Sequence, residues 1–247
     1  MIIAVSGKGG MGKTTLAALI VRHLVGSASG PVLAVDADPN SNLGGKLGLE
    51  CDCTIGDLRE DTQKRKHTTS LGTPKQRGIE YEVQQAVAEG RGFDLVVMGR
   101  GEGPGCYCAV NNMLRTFLQN VASGYKHVVI DNEAGMEHLS RRTNDKVDLM
   151  LIVSDPTPTG LNSARRISEM AKGLDVVSGR MGLIINRVAD IEPNETQARE
   201  ATGLDLLACV PSDPMVADFE LRSEPLLRLP GDSAAVVAIG NFLQSVM

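Results

Sequence analysis

The sequence predicts an α/β fold in which a doubly wound, mostly parallel sheet carries helices on both faces. Short apolar runs of strand length alternate along the chain with segments of helical periodicity, and this alternation requires crossover connections between parallel strands. Of the 247 residues, 42% are hydrophobic, but only 3% are aromatic and none is Trp. The core must therefore consist of Val, Ile, Leu, Ala and Met, which suits strands that helices cover on both faces. The length fits one domain, which we predict over residues 1–247.

Apolar runs bounded by turn residues or charges predict the strands. In chain order these runs are MIIAVS, PVLAVDAD, FDLVVMG, HVVIDNE, VDLMLIVSD, MGLIINRV and, more weakly, LDLLACVP. The predicted helices are TTLAALIVRHLVG, NNMLRTFLQNVA, HLSRRTNDK, TGLNSARRISEMAKGL, NETQAREATG and a core-packing helix in DSAAVVAIGNFLQSVM. The polar stretch 59–77 predicts an exposed loop, and its KRK run is alternatively a small docking patch.

A glycine-rich segment joins the first predicted strand to the first predicted helix. GKGGMGKT, from Gly7 to Thr14, fits the pattern G-x-x-x-x-G-K-[ST]. Glycines let backbone N–H groups turn toward phosphate oxygens, and the amino terminus of the helix adds a favourable dipole. Lys13 is expected to reach the β- and γ-phosphates of a nucleotide, and the Thr14 hydroxyl to bind Mg²⁺. The residues expected to contact the nucleotide here are Gly7, Lys8, Gly9, Gly10, Gly12, Lys13, Thr14 and Thr15.

Lys8 is additional to the plain phosphate-loop pattern. With it, KGGMGKT resembles the deviant Walker A motif of the MinD/ParA/nitrogenase-iron-protein class of P-loop ATPases. The resemblance implies ATP hydrolysis with Mg²⁺, ATP or ADP as the bound nucleotide, and a homodimer in which Lys8 contacts the nucleotide of the partner. A cation supplied in this way stabilises charge on the transferred phosphoryl group. On spacing alone, an exposed loop lysine is the alternative.

Two acidic segments follow later strands in the chain order of this ATPase class. VDADPNSNLG resembles switch I, and VVIDNEAGMEH resembles a Walker B strand followed by switch II. The resemblance implies that Asp38 orients the attacking water, that Asp36 supports the Mg²⁺ shell, and that Asp131 holds Mg²⁺ through water. Lys8, Lys13 and Asp38 are then the catalytic residues.

Two late strands end in residues that the same resemblance assigns to the base. Asn186 and Arg187 close LIINR, and an asparagine at this place in the class hydrogen-bonds adenine. A polar residue that merely closes a strand is the alternative. CVPSD resembles the later base-side loop of the class, where Pro211 sets the turn. Cys209 ends an apolar strand, and we predict a buried structural cysteine there.

Two thiols separated by one residue stand in GPGCYC, after the strand FDLVVMG. A symmetric dimer would bring together four thiolates, from Cys106 and Cys108 of each subunit, in a closed site on the two-fold axis. Zn²⁺, Ni²⁺, Cu⁺ and a [4Fe–4S] cluster all accept such ligands. Two small buried residues in a glycine-rich loop are the alternative without metal. Cys51 and Cys53 have the same spacing and form a rival site.

The C-x-C placement, together with DADPNSNLG and EAGMEHLSRR, resembles the nickel-inserting accessory ATPases of carbon monoxide dehydrogenase, the CooC type. The resemblance implies a metallochaperone that dimerises on ATP or metal binding and has carbon monoxide dehydrogenase as its client. It also assigns the metal to Cys106 and Cys108. Arg141 and Arg142 follow switch II and either transmit the nucleotide state or form a solvated helix face.

Charge and hydropathy favour other partners over nucleic acid and membrane. The formal net charge is −5, which disfavours DNA, and no run of 18 apolar residues is present. The last 16 residues contain no Lys or Arg, unlike a basic membrane-binding helix. We see no export signal and expect a cytoplasmic protein. Two alternatives stay open, an iron–sulfur carrier or ATP-driven reductase and, less favoured, a MinD/ParA-like positioning ATPase.

Overall fold

The structure of the protein is a computed structural model. Of residues 61–66 it describes the backbone alone. The residues that it describes are 1–66, 86–100, 110, 113–114, 116, 118, 124–133, 147–174, 176–189 and 194–247.

A single eight-stranded sheet with the order β3-β4-β2-β5-β1-β6-β7-β8 forms the centre of the described structure. Its strands are β1 (Ile2–Gly7), β2 (Val32–Ala37), β3 (Val87–Glu89), β4 (Phe93–Val97), β5 (His127–Asn132), β6 (Val147–Ser154), β7 (Val177–Val188) and β8 (Asp205–Pro211). All neighbours pair in parallel except β3, which runs antiparallel to β4. The predicted fold class is thus confirmed. The short edge strand β3 was not predicted, since three residues carry too little periodicity.

Helices cover both faces of the sheet. They are α1 (Lys13–Gly26), α2 (Leu43–Leu47), α3 (Ile55–Lys66), α4 (Pro158–Leu174), α5 (Glu195–Thr202), α6 (Pro214–Leu221), α7 (Ala234–Val246) and a 3₁₀ turn (Leu226–Arg228). No helix within the described ranges is long and apolar enough to cross a membrane. The helices predicted over 111–122 and 138–146 lie outside the described residues, apart from isolated positions.

Strand alternation divides the core into two layers. On β1, Ile3 and Val5 pack in one layer with Leu16 and Ile20 of α1, whereas Ala4 packs in the opposite layer. The second layer includes residues of α4 and α5. The carboxyl-terminal helix α7 buries Ile239, Phe242 and Leu243 in the first layer, as its apolar sequence predicts. Both faces of the central strands are therefore buried, and the parallel strands end together at one edge.

The predicted loop over 59–77 is wrong at its beginning, because α3 extends to Lys66. Thr54 and Asp57 form a capping box at the start of this helix. The Thr54 N–H donates to Asp57 Oδ2 at 2.9 Å, and the Asp57 N–H donates to Thr54 Oγ1 at 3.2 Å. Ile55 and Leu58 bury the first turn in the core. The sequence contained this signal in T-I-G-D, but the charged residues that follow concealed it.

Candidate nucleotide site

The loop between β1 and α1 adopts a backbone that needs glycine. Gly10 and Gly12 have φ values of 83° and 88°, in the left-handed region. Gly12 is the residue that caps the amino terminus of α1. At Gly7 a Cβ atom would collide with the carbonyl oxygen of Val153 on the neighbouring strand β6. The loop can therefore pass close to the sheet and turn into the helix only with glycine at these positions.

A cavity of about 610 Å³ opens at this loop, and we call it the phosphate cavity. Lys13 is buried in its wall at the start of α1, whereas Lys8 is exposed to solvent. Free backbone N–H groups at the beginning of α1 give this end of the helix a positive potential. The lining residues are Gly9, Gly10, Gly12, Lys13, Thr14, Thr15, Asp38, Asn40, Asn42, Gly45, Lys46, Arg187, Glu220, Ser223, Glu224 and Leu226.

Two buried carboxylates lie beside each other at the strand ends, because Asp36 of β2 pairs in register with Asp131 of β5. Burial raises the pKa of Asp36 to about 7, and the charge of Asp131 adds to the rise. The Asp36 carboxylate accepts hydrogen bonds from the backbone of Leu43 at 2.8 Å and of Asp38 at 3.2 Å. These bonds fix the loop that follows β2 but do not offset the loss of solvent.

Asp131 is buried with less support from the protein. Burial raises its pKa to about 6, although Thr14 and the positive charge of Lys13 oppose the rise. Among the described residues, neither carboxylate oxygen of Asp131 has a hydrogen-bond partner of good geometry, so we take Thr14 as a close neighbour and not as a bonded one. A buried carboxylate in this condition is a strong candidate ligand for a cation.

Asp38 lies in a turn that an arginine from another loop holds. Its Oδ1 accepts hydrogen bonds from the backbone and the side-chain amide of Asn40, at 2.8 and 2.9 Å. Arg100, just after β4, donates to Asn40 Oδ1 at 2.5 Å and to the Pro39 carbonyl at 3.2 Å. Sequence analysis did not identify Arg100, since no local motif connects it with Asp38.

A second cavity, of about 440 Å³, adjoins the first, and we call it the base cavity. Asn186 and Arg187 lie where the two cavities meet the phosphate loop. Asn186 Nδ2 donates to the Met11 carbonyl at 2.9 Å, and Arg187 Nη1 donates to the Gly10 carbonyl at 3.1 Å. The lining residues are Thr15, Leu16, Leu19, Asn186, Arg187, Val210, Pro211, Ser212, Asp213, Pro214, Val216, Ala217, Glu220 and Ala235.

Glu220 of α6 lies in the wall of both cavities, and no local sequence pattern predicts it. Its Oε1 accepts a hydrogen bond from Thr15 Oγ1 at 2.5 Å and forms an ion pair with the Lys46 ammonium. Burial opposes the ionisation of Glu220, but the contacts with Lys46 and Thr15 outweigh it, so the pKa of Glu220 lies below its usual value. The carboxylate is therefore ionised, and its Oε1 has two partners.

Asp213 closes the far side of the base cavity and connects two helices. It accepts hydrogen bonds from the backbone of Met215 at 2.8 Å, from Ser233 Oγ at 2.6 Å and from the backbone of Ala235 at 3.0 Å. The first bond caps α6, and the other two hold the start of α7. Pro211, two residues earlier, lines the same cavity, and its predicted role on the base side stays a prediction. The hydrogen bonds of Asp213 were not predicted.

The predicted thiol site lies outside the described residues, as do Arg141 and Arg142. Cys51 and Cys53 are half-buried, and the Cys51 thiol contacts the Cys53 carbonyl at 2.9 Å. Within the described part of the chain, no group of three or more potential metal-binding side chains converges, so Cys51 and Cys53 are not joined there by further ligands. Cys209 is only partly buried, because β8 is an edge strand.

Three comparisons with known proteins agree with this geometry. The family model of the CobQ/CobB/MinD/ParA nucleotide binding domain matches residues 2–226. An uncharacterized ATP-binding protein of Methanocaldococcus jannaschii is 38% identical over 250 residues, which cover 100% of this chain and 98% of the relative. The carbon monoxide dehydrogenase accessory protein CooC of Rhodospirillum rubrum is 30% identical over 224 residues, 86% of this chain and 84% of the relative.

Solved structures of more distant sequence share the fold. The cell division ATPase MinD of Pyrococcus furiosus has a TM-score of 0.71 at 22% identity, and the match covers 100% of this chain and 99% of that one. A ParA family ATPase of Chlorobium tepidum has a TM-score of 0.74 at 18% identity, with 100% and 98% covered. With the phosphate loop, the buried carboxylates and the family match together, the chain is a P-loop ATPase that belongs to the CobQ/CobB/MinD/ParA family.

Proposed function

We propose that this ATPase is a dimerising metallochaperone, which binds a soft metal at an intersubunit Cys-x-Cys site and aids nickel insertion into carbon monoxide dehydrogenase. One observation carries the proposal: a chain that is 30% identical to CooC also has two thiols one residue apart, at Cys106 and Cys108. We assign it to the cytoplasm, where thiols stay reduced.

The nucleotide would lie across the two cavities. The base would occupy the base cavity beside Asn186, Arg187 and Pro211, and the phosphates would lie against the glycine loop and Lys13. The support for this orientation is the positive amino terminus of α1, which faces the phosphate cavity, and the largely apolar wall of the base cavity. Because Asn186 and Arg187 also hold carbonyls of the loop, the base side and the phosphate side are mechanically connected.

Mg²⁺ fits the residues at the strand ends. Asp131 supplies a buried carboxylate whose oxygens have no hydrogen-bond partner among the described residues, and Thr14 supplies a hydroxyl; both are the hard oxygen groups that Mg²⁺ prefers. Asp36 would support this site from the neighbouring strand. When bound, Mg²⁺ neutralises negative charge on the phosphates. Asp38 would accept a hydrogen bond from the attacking water and orient that water toward the terminal phosphate.

Lys8 would act on the nucleotide of the partner subunit. It is exposed on the outer side of the glycine loop, whereas Lys13 is buried beside α1. An exposed lysine at this position is available to a second copy of the chain, where its charge would stabilise the transferred phosphoryl group. Lys8, Lys13 and Asp38 are thus our proposed catalytic residues.

The metal is cargo in this proposal. Cys106 and Cys108 from each subunit would supply four thiolates, a ligand set that suits Zn²⁺ and also binds Ni²⁺. ATP-dependent closure of the dimer would compress the site and change its metal affinity. Linkage then requires that the metal change ATP affinity by the same factor. A [4Fe–4S] carrier would use the same thiols and is the alternative.

The test is an anaerobic titration of the metal-free protein with Ni²⁺, followed by mass-resolved size exclusion, without nucleotide and with ADP or ATP. The variant Cys106→Ala/Cys108→Ala and the matched variant Cys51→Ala/Cys53→Ala are titrated beside it. We expect one Ni²⁺ per dimer, an affinity that depends on nucleotide, and loss of binding only in the first variant.

Two results would contradict the proposal. Loss of binding only in Cys51→Ala/Cys53→Ala would move the metal site to the rival pair. No specific nickel binding in any nucleotide state, combined with a brown protein after anaerobic iron–sulfur reconstitution, would favour the iron–sulfur carrier instead.

A further inference from the structure

The ion pair between Lys46 and Glu220 has no role in the function proposed above. Lys46 belongs to α2, which begins directly after the loop that carries Asp38, and Glu220 belongs to α6 on the other side of the phosphate cavity. Their side chains are 25% and 31% exposed. The pair therefore joins two helices in the wall of the cavity and is partly withdrawn from solvent.

The position of the Lys46 ammonium relative to α1 is well defined. The same Glu220 oxygen, Oε1, accepts from Lys46 Nζ and from Thr15 Oγ1. Thr15 is in the first turn of α1, which contains no acidic residue. The ammonium thus lies beside a helix amino terminus, close to a second lysine, Lys13, in the same cavity wall. Such a concentration of positive charge is unfavourable without an anion.

Glu220 is the anion that this structure provides. Within the described residues, the phosphate cavity is lined by two other carboxylates, Asp38 and Glu224, and neither forms a salt bridge with Lys46. The charge of Lys46 opposes the rise in the pKa of Asp131 that burial causes, so the field of Lys46 extends to the end of β5. A polyanion that enters the cavity would meet Lys46 as well as Lys13.

We propose that Lys46 is a further phosphate-binding residue of this site, which transfers its ammonium from Glu220 to a phosphate oxygen when a polyphosphate enters the cavity. An ammonium group has three donors and a flexible stem, so it can exchange one oxygen acceptor for another without movement of its helix. A phosphate group carries more negative charge than one carboxylate and is the stronger partner.

The exchange would also reach the loop that carries Asp38. The Lys46 N–H contacts the Asn42 carbonyl at 3.5 Å, and the next residue, Leu43, donates its N–H to Asp36. Helix α2 is thus the end of the loop that begins at Asp36. A ligand that holds Lys46 would hold this loop at both ends, at Asp36 and at α2.

The experiment measures binding of Mg²⁺–pyrophosphate and Mg²⁺–tripolyphosphate by isothermal titration calorimetry. These probes have no base or ribose, so contacts of Glu220 with other parts of a nucleotide do not enter. We expect Lys46→Ala to bind about tenfold more weakly than the wild-type protein, which corresponds to the loss of one charge-assisted contact. Lys46→Arg should retain most of the affinity, and Glu220→Gln should bind as tightly as wild type or more tightly. Lys172→Ala, at an exposed position of α4, is the matched control.

A purely structural ion pair gives a different pattern. If the pair serves only to hold α6 against α2, Lys46→Ala and Glu220→Gln will weaken binding equally, and that result overturns the inference. Unchanged affinity in Lys46→Ala overturns it too. The inference rests on the proposed position of the phosphates, and failure of that position is distinguishable: the wild-type protein itself would then bind neither probe.

Discussion

The carboxylates at the ends of the central strands and those of helix α6 and its cap differ in the hydrogen-bond donors that the protein provides for them. Asp36 and Asp131 are buried at the strand ends, and burial raises the pKa of both groups. Asp213 and Glu220 belong to α6 and its cap, and donors from the protein lower the pKa of both groups in spite of burial. The strand ends and the neighbouring helix α6 with its cap thus carry carboxylates of opposite character.

The difference in pKa separates carboxylates that are proposed to act at a cation site from carboxylates that stabilise the packing of helices. A buried carboxylate without good donors destabilises the fold and is retained where a ligand repays that cost. A carboxylate with three donors stabilises the helices that it joins, as Asp213 does for α6 and α7. Substitution of the strand-end carboxylates and of the α6 carboxylates should therefore have opposite effects on the free energy of unfolding. Only the strand-end carboxylates, Asp36 and Asp131, should be essential for ATP hydrolysis.

The largest effect should come from Asp131→Asn. We expect the rate of ATP hydrolysis to fall about 100-fold or more, since the substitution removes the buried charge that would hold Mg²⁺. At pH 8 the free energy of unfolding in urea should rise by about 1–3 kcal/mol, because one unit of pKa elevation costs about 1.4 kcal/mol once the group is ionised.

The sign of the pH dependence sharpens this expectation. The pKa of Asp131 rises from 3.8 to about 6 on folding, so the folded state binds its proton more tightly than the unfolded state. Stability of the wild-type protein should decline relative to Asp131→Asn as the pH increases from about 4 to about 7 and stay constant above, because the charge of Asp131 also helps to raise the pKa of Asp36 to about 7. Asp205→Asn on the edge strand serves as the control and should follow wild type. A variant that hydrolyses ATP normally would show that Asp131 is a structural group.

Asp213→Ala should have the second largest effect, in the opposite direction. Loss of one helix cap and of two further charge-assisted hydrogen bonds should lower the free energy of unfolding by about 2–4 kcal/mol. The pKa of Asp213 lies below 3.8 in the folded state, so its contribution is complete above that value and disappears at lower pH. Chemical denaturation at pH 7 and pH 3 should show the full deficit at pH 7 and a smaller one at pH 3. An equal deficit at both values would mean that the carboxylate charge is irrelevant.

The strand-end carboxylates and the α6 carboxylates also differ in how far the sequence predicts them. The phosphate loop, Asp36 and Asp131 were predictable, because a glycine pattern and apolar strands that end in Asp are local signals and parallel strands bring their ends together. Glu220 and Lys46 were not predictable, since they are 174 residues apart and meet only through the packing of α6 across the cavity. Arg100 and Asn40 are likewise separated by 60 residues.

Within the fold, prediction failed where the signal was short or masked by charge. The strands of the sheet centre were predictable from apolar runs, whereas β3 has three residues and α3 continues into a highly charged segment. Helix α6 was not predicted from the sequence either. It has only eight residues, too few for a clear helical period, and none of its side chains is fully buried in the core.

Asn186→Ala should have an intermediate effect, which tests whether the base side supports the phosphate side. We expect affinity for Mg²⁺–ATP to fall about tenfold, the equivalent of roughly one charge-neutral hydrogen bond of about 1.4 kcal/mol. Because Asn186 donates to the Met11 carbonyl of the loop, affinity for Mg²⁺–pyrophosphate should fall as well. If only ATP binding weakens, Asn186 contacts the base alone, as the resemblance implied, and the two cavities are independent at this point.

Arg100→Ala should give the smallest effect and the most specific one. Arg100 donates a hydrogen bond to Asn40, and Asn40 in turn donates to the Asp38 carboxylate. Loss of the guanidinium should therefore make the position of Asp38, a proposed catalytic group, less well defined, although Arg100 itself is not expected to contact the nucleotide. We expect kcat for ATP hydrolysis to decrease about threefold to fivefold, with KM unchanged, because misplacement of an orienting group affects only the chemical step. Arg100→Lys should restore part of kcat, and Arg199→Ala, which breaks an exposed pair with Asp205, should leave both constants unchanged. An increase in KM with normal kcat would instead place Arg100 among the groups that bind the nucleotide. The loop after β4 would then contact the ligand directly and would not act through Asn40 and Asp38.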